Sequence, residues 1–277
     1  MLELGSERLA VTVDASVEGT HFRLGWILHR EVGWRACTAT LSDLAAVAAE
    51  PVGVMVCLGV PSEWPAELAS DVMEGVGEAA SAVGAAVLGG DLVRSDRLIV
   101  DVVGLGRAPR AVSRAGAEAG DFLWVTGELG GPAAALAAWN AGIEPEGSAR
   151  ARFARPEARV REAAWLRDRG AKALIDISDG LLADASHLAA ASAVGLEIEY
   201  DRVPTHPAAE PEVAITSGEE YELLVALPAT FRWEGAAEFR ETFGVSLTQV
   251  GDVDAGEGVR LVRNGLSVES PEGYRHF

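Results

Sequence analysis

Leu174-Ile175-Asp176-Ile177-Ser178-Asp179-Gly180-Leu181-Leu182-Ala183-Asp184 joins two kinds of local structure. Ala173 to Ile177 is a short apolar run that closes on a turn, the pattern of a buried strand. Gly180 breaks the run, and Leu181 to Ala193 has the Ala and Leu content of a helix. Leu196 to Tyr200 returns to strand character. Strand, turn, helix and strand in succession predict an α/β layer fold, with helices laid on a sheet.

The alternation continues in both directions. On the N-terminal side, Arg8 to Asp14, Val52 to Val60, Ala85 to Leu88 and Leu98 to Leu105 read as strands. Between them, Val32 to Ala49 is predicted as a helix stopped by Pro51, and Pro65 to Val83 as an amphipathic helix. The stretch from Arg107 to Gly120 is irregular, with Pro109, Gly116 and Gly120, and places a domain boundary there. Domains of 1–108 and 109–277 follow. In the second, Phe122 to Thr126, Glu220 to Ala226 and Ser246 to Gly251 read as strands, and Pro132 to Ala141, Pro156 to Arg169 and Phe231 to Phe243 as helices. Val259 to Val262 and Leu266 to Val268 suit a hairpin around Asn264-Gly265.

The composition bounds the function. The chain of 277 residues is 49% hydrophobic and 23% charged, as a soluble globular protein is. A net charge of −19 argues against nucleic-acid binding, which needs a basic footprint. No long apolar run and no leader-like start is present, so no membrane association is expected and a cytoplasmic location is inferred. Cys37 and Cys57 lie in apolar runs and read as buried free thiols. Lys172 is the only lysine and lacks the glycine-rich context of a P-loop.

Acidic residues carry the chemistry. Asp14, Asp43, Asp91 and the pair Asp176/Asp179 each follow apolar residues, at positions read as ends of strands or, for Asp43, inside an Ala-rich helix. Clustered carboxylates are hard oxygen ligands that suit Mg²⁺, and Mg²⁺ suits polyphosphates. The bland alternative for Ser178 and Asp179 is a helix cap, but a cap needs one acidic residue and two are present. An aspartate in mid-helix among small apolar neighbours, as Asp43 is, is costly unless paired or metal-bound. Gly89-Gly90-Asp91 is a common turn when taken alone, and Arg94 reads as either a phosphate ligand or a solvated side chain. His21 reads as structural as readily as functional, and Glu219-Glu220-Tyr221-Glu222 reads by default as an exposed strand edge. The chain is expected to be a Mg²⁺-dependent, ATP-using phosphotransferase without a P-loop.

Taken together, Thr12-Val13-Asp14, Val17-Glu18-Gly19-Thr20-His21-Phe22, Leu41-Ser42-Asp43-Leu44-Ala45-Ala46, Gly89-Gly90-Asp91, Ile175 to Asp184, Ser217 to Leu223 and Gly273 to Phe277 resemble, in order, the thiamine-monophosphate kinase family. That family belongs to the aminoimidazole ribonucleotide synthetase superfamily. The resemblance implies a two-domain α/β fold, with N-terminal strands forming a barrel shared by a homodimer and a C-terminal α/β domain. It implies the reaction of ATP with thiamine monophosphate to give ADP and thiamine diphosphate by direct in-line transfer. It also implies roles: Asp14, Asp43, Asp91, Asp176 and Asp179 as Mg²⁺ ligands, the last three at the centre of catalysis. Thr12 would assist the metal site, Gly90, Arg114 and Ser178 would contact ATP, and His21, Glu219 and Tyr274 would address thiamine monophosphate.

Two departures from the family pattern stand out. The family usually has Gly-Gly-Glu-Asp-Tyr-Glu-Leu where this chain has Ser217-Gly218-Glu219-Glu220-Tyr221-Glu222-Leu223, a longer acidic arm at Glu220. The family's Gly-Asp-Asp-Ala-Ala-Val segment has no counterpart before Met1-Leu2-Glu3-Leu4, and a misassigned start is the expectation. Two other functions compete: another ATP-using enzyme of the superfamily, and a non-catalytic nucleotide- or thiamine-phosphate-binding protein.

Overall fold

The computed structural model describes residues 1–4 and 7–269. The chain divides into two units. One comprises Met1–Ala45, Ala49–Arg110 and Ala154–Val160; the other comprises Ala46–Ala48, Ala111–Phe153 and the described residues from Arg161 onward.

The first unit runs β1 (Leu2–Leu4), β2 (Glu7–Val17), α1 (His29–Ala45), β3 (Glu50–Val60), α2 (Ala66–Ala82), β4 (Ala86–Arg94) and β5 (Ile99–Arg107). Its sheet has the order β1-β2-β5-β3-β4. Only β3 and β4 pair in parallel, and α2 supplies the crossover that a parallel pair requires. Side chains alternate across the sheet: Val100 and Val102 of β5 are fully buried, whereas Asp101 between them and Val103 after them are partly exposed. The inner face, with Val54, Val56 and Leu58, forms a core with Leu41 and Leu44 of α1 and Val72 and Val76 of α2. On the outer face Val11, Val13 and Met55 are exposed.

Several expectations shift here. The first helix ends at Ala45, and Ala48 takes a left-handed φ of 50°. Pro51 therefore lies inside β3, beside a bulge between Pro51 and Gly53 that accommodates a residue without an amide donor. Asp14 and Asp91 are not at strand ends: Asp14 pairs with Val102 within β2, and Gly89-Gly90-Asp91 is the middle of β4, not a turn. The strand pairing carried both runs further than their sequence pattern indicated. Cys37 is buried, which pushes its thiol up to about 12, but Cys57 is exposed on the outer sheet face.

Beyond Arg110 the chain runs β6 (Phe122–Thr126), α3 (Gly131–Asn140), α4 (Gly147–Ala154), α5 (Val160–Asp168), β7 (Ala173–Ile177), α6 (Leu181–Ser192), β8 (Gly195–Glu199), α7 (Pro211–Thr216), β9 (Glu222–Leu227), α8 (Trp233–Phe243), β10 (Leu247–Asp254), β11 (Gly258–Arg263) and β12 (Leu266–Ser267). The strands form a second sheet, ordered β12-β11-β8-β10-β6-β9-β7. The β7 and β9 strands are buried along their whole length, and Leu123, Ile175, Ile177, Leu181, Leu188 and Leu224 lie in one core cluster. The predicted hairpin forms: Arg263 pairs with Leu266, and Asn264 and Gly265 both have positive φ, as a two-residue type I′ turn demands. The mixed α/β architecture expected from the sequence is the one observed. Among the described residues, no helix is long and apolar enough to cross a membrane.

Candidate active site

In the N-terminal unit, Thr12 and Asp14 lie two residues apart on β2, so both side chains take the face of the sheet covered by α1. The Thr12 hydroxyl donates to Asp43 Oδ2 from α1. A partly buried aspartate near the end of a helix thus acquires a partner from the neighbouring strand. Asp91 is on the other face. The register sets Cys57 opposite both Asp91 and Asp101, and all three follow the outer side of the sheet. Asp91 Oδ1 accepts the amide of Leu92 at 2.9 Å. Gly90 lies against the backbone of Val56, with no room for a Cβ. His21 Nδ1 accepts the Val17 amide at 3.1 Å, which closes the turn after β2.

In the C-terminal unit, the β7–α6 joint brings Asp176, Ser178, Asp179 and Asp184 together. Asp184, in the first turn of α6, reaches back, and its Oδ2 accepts the amides of Ser178, Asp179 and Gly180 at 3.0, 3.0 and 3.1 Å. Neither Ser178 nor Asp179 caps the helix. The N-cap is Gly180, with φ 115° and no capping side chain, and Asp184 satisfies the amides of the turn that leads into the helix. Burial raises the Asp184 carboxyl to about 7, and the charges of Asp176 and Asp179 add to the effect against its amide hydrogen bonds. Three carboxylates therefore meet at this joint, close enough for their charges to act on one another.

A second loop packs on this joint. The Glu219 amide donates to the Ser178 carbonyl at 2.7 Å, and the Tyr221 amide donates to the Ile177 carbonyl at 2.9 Å. The approach requires two glycines: a Cβ on Gly180 would stand 2.8 Å from the Thr216 carbonyl, and one on Gly218 would stand 2.7 Å from the Ser178 carbonyl. Glu219 is thereby seated beside Ser178 and Asp179. The expected exposed edge is corrected in part: Glu220 and Glu222 are 1% and 0% exposed. Arg114 is placed elsewhere, its carbonyl accepting the Ser192 hydroxyl at the end of α6 remote from Ser178. Tyr274 lies outside the described residues. Among the described residues, no three His, Cys, Asp or Glu side chains form a ready metal-binding group.

Sequence reasoning missed Asp184 and Arg152. The signal for Asp184 was its place in the first turn of α6, one turn beyond the glycine. Arg152, in a helix that was not predicted, offered none.

An N-terminal unit with a Thr–Asp pair under its helix, followed by a mixed sheet with an acidic strand–helix joint, defines a class. Residues 1–108 match the family described as AIR synthase related protein, N-terminal domain, and residues 118–264 match AIR synthase related protein, C-terminal domain. The chain is 40% identical over 202 residues to a thiamine-monophosphate kinase of Mycobacterium tuberculosis (strain CDC 1551 / Oshkosh), a match that covers 72% of this chain and 60% of that one. It thus spans less than two thirds of that relative's length. It is 35% identical over 279 residues to a thiamine-monophosphate kinase of Caulobacter vibrioides, covering 94% of this chain and 78% of the relative. A solved structure, AaThiL complexed with AMPPCP and TMP, superposes with a TM-score of 0.86 at 31% identity, covering 100% of this chain and 89% of that one. The chain belongs to the thiamine-monophosphate kinase family.

Proposed function

We propose that this chain transfers the γ-phosphoryl group of ATP to the phosphate of thiamine monophosphate, giving ADP and thiamine diphosphate, in one in-line step that depends on Mg²⁺. The observation that carries the reading is the carboxylate cluster at the β7–α6 joint, in a chain whose relative is complexed with AMPPCP and TMP. Carboxylates gathered there suit a divalent cation with its phosphates, because a bound cation reverses the local electrostatics.

Asp176 and Asp179 would hold the cation in this unit, while Asp184 Oδ2 is taken up by three backbone amides. Asp14 and Asp43, on the helix-covered face of the first sheet, would serve the same end in the N-terminal unit, and Thr12 orients Asp43; Asp91, on the opposite face, would hold a cation apart from them. Mg²⁺, when bound, supplies neutralisation of the charge that develops on the transferring phosphoryl group. Ser178 addresses the nucleotide, and Glu219, seated beside it, and His21 address the acceptor. A general base is unnecessary, because the attacking phosphate oxygen is already anionic.

The working form in this reading is a homodimer. Val13, Val103 and Met55 stand side by side in register on the sheet face opposite α1 and α2, and Val13 is 65% exposed. A second copy of the same face is the occupant that suits a self-complementary apolar patch.

The test is direct. The protein is incubated with ATP, thiamine monophosphate and Mg²⁺, with a chelator in a parallel arm, and thiamine diphosphate and ADP are quantified. Equal amounts of both products, lost on chelation, are expected. ADP without thiamine diphosphate would remove the acceptor assignment, and full activity under chelation would remove the metal.

A further inference from the structure

A network of two buried carboxylates and one partly exposed arginine stands behind Glu219 and takes no part in the mechanism above. Arg152 Nη2 lies 2.9 Å from Glu222 Oε1 and 3.8 Å from Glu220 Oε2. The same nitrogen donates to the Glu220 carbonyl at 3.1 Å. Glu220 Oε1 accepts the Gly130 amide at 2.6 Å. Glu222 Oε2 accepts the Thr126 hydroxyl at 2.6 Å, and Thr126 Oγ1 in turn accepts the Leu223 amide at 2.8 Å. Two interior carboxylates share one guanidinium.

Such a network is a poor means of stabilising a fold, because desolvation offsets most of the attraction. Its location suggests a different use. Glu219 and Tyr221 have φ of 59° and 54°, so two residues with side chains sit in the left-handed region on either side of Glu220. Such conformations are strained for residues with side chains and persist only where the surroundings over-determine them. Here the surroundings act from two sides. Ile177 and Ser178 hold the flanking amides, while Arg152 and Gly130 hold the carbonyl and carboxylate of Glu220. Loosening the second side would free the turn to relax and move Glu219 from its place beside Ser178.

We infer that Arg152, acting with Glu220 and Glu222, is a positioning residue that fixes the strained 219–221 turn and so sets the affinity for the phosphate acceptor without setting that for ATP. The inference rests on the assignment of Glu219 to the acceptor made above.

Arg152→Met would strand two buried carboxylates, so the test pairs it with Arg152→Met/Glu222→Gln, which removes one charge of each sign. Arg152→Lys is the conservative control. Two readouts are taken on each: amide hydrogen exchange at residues 219 and 221, and KM for thiamine monophosphate and for ATP. Exchange at Glu219 and Tyr221 is expected to rise about tenfold or more, with β6 and β9 amides unchanged, and the acceptor KM to rise about tenfold with the ATP KM within about twofold. Lys at 152 is expected to restore part of both effects. Unchanged exchange at the two amides overturns the inference, as does an equal rise in both KM values. Faster exchange with an unchanged acceptor KM also overturns it, since the turn would then not serve the substrate. If the wild-type protein makes no thiamine diphosphate, the kinase reading fails separately, and the exchange measurement alone decides whether Arg152 fixes the turn.

Discussion

Asp184 Oδ2 accepts the backbone amide of Asp179 at 3.0 Å, and the same oxygen takes the amides of the residues on either side. A carboxylate in the first turn of α6 thus shapes the joint that carries Asp176 and Asp179. Asp184→Ala would orphan three amides at a buried joint, and a loss of about 2–3 kcal/mol is expected in urea denaturation. Asp184→Asn retains an acceptor oxygen and is expected to lose less. A stability change below about 0.5 kcal/mol for the alanine variant would show that the loop holds its shape without this residue.

Glu220 gives a pH signature. Burial raises its carboxyl from 4.5 to about 7, against the pull of the Ser217 hydroxyl, Arg152 and the Gly130 amide. A raised folded-state value in an acid means that the native state holds a proton that the unfolded chain has released. Its contribution to stability is therefore largest below pH 4.5 and declines as pH rises to about 7. The decline amounts to about 3 kcal/mol by linkage, at about 1.4 kcal/mol per unit. Glu220→Gln removes this slope. The difference in unfolding free energy between the wild-type protein and Glu220→Gln, followed from pH 4.5 to pH 7.5, should move steadily in favour of the glutamine. A flat difference would mean that Glu220 is ionised in the fold across the whole range.

The parts of the molecule legible in the sequence are those fixed by short-range pattern. Phe122–Thr126 and Ala173–Ile177 form strands at the predicted bounds, and the Asn264-Gly265 hairpin follows from turn chemistry. The β7–α6 joint was visible because an apolar strand, a glycine and an Ala-rich run adjoin one another. Pairing across the sheet was not visible. Asp91 looked like a turn residue after two glycines, yet β4 runs on to Arg94 because β3 offers a parallel partner along that length. The acidic run at 219–222 looked solvated because a single-residue reading cannot supply Arg152, 68 residues away in the chain from Glu220. Asp14, Asp43 and Asp91 were all assigned to cation binding from the sequence, but strand register separates Asp91 from the other two by a sheet face.

Asp176 and Asp179 can be separated from their structural neighbour by substitution. Asparagine at either position removes a charge from the cluster that raises Asp184, so the fold is expected to be as stable as the wild-type protein or more so. Turnover is expected to fall by about 10²-fold or more, because a cation ligand would be lost at the point of charge development. The measurement is kcat with a Mg²⁺ titration for each variant, alongside thermal melting. Near wild-type turnover with an unchanged Mg²⁺ requirement would remove these two residues from the metal assignment.

Val13 tests the assembly. It is 65% exposed on the face of the N-terminal sheet opposite α1 and α2, away from the core that holds its unit together. Val13→Asp therefore places a charge where the monomer already meets water, and its effect on the stability of an isolated chain should be small. In a dimer built on this face, the same charge would be buried without a partner, a strongly unfavourable change. Sedimentation analysis should show the wild-type chain at twice the monomer mass and Val13→Asp at the monomer mass, with an unaltered circular dichroism spectrum. A wild-type chain that sediments as a monomer would leave this face without a second copy. A variant that remains dimeric would move the interface to another surface of the molecule.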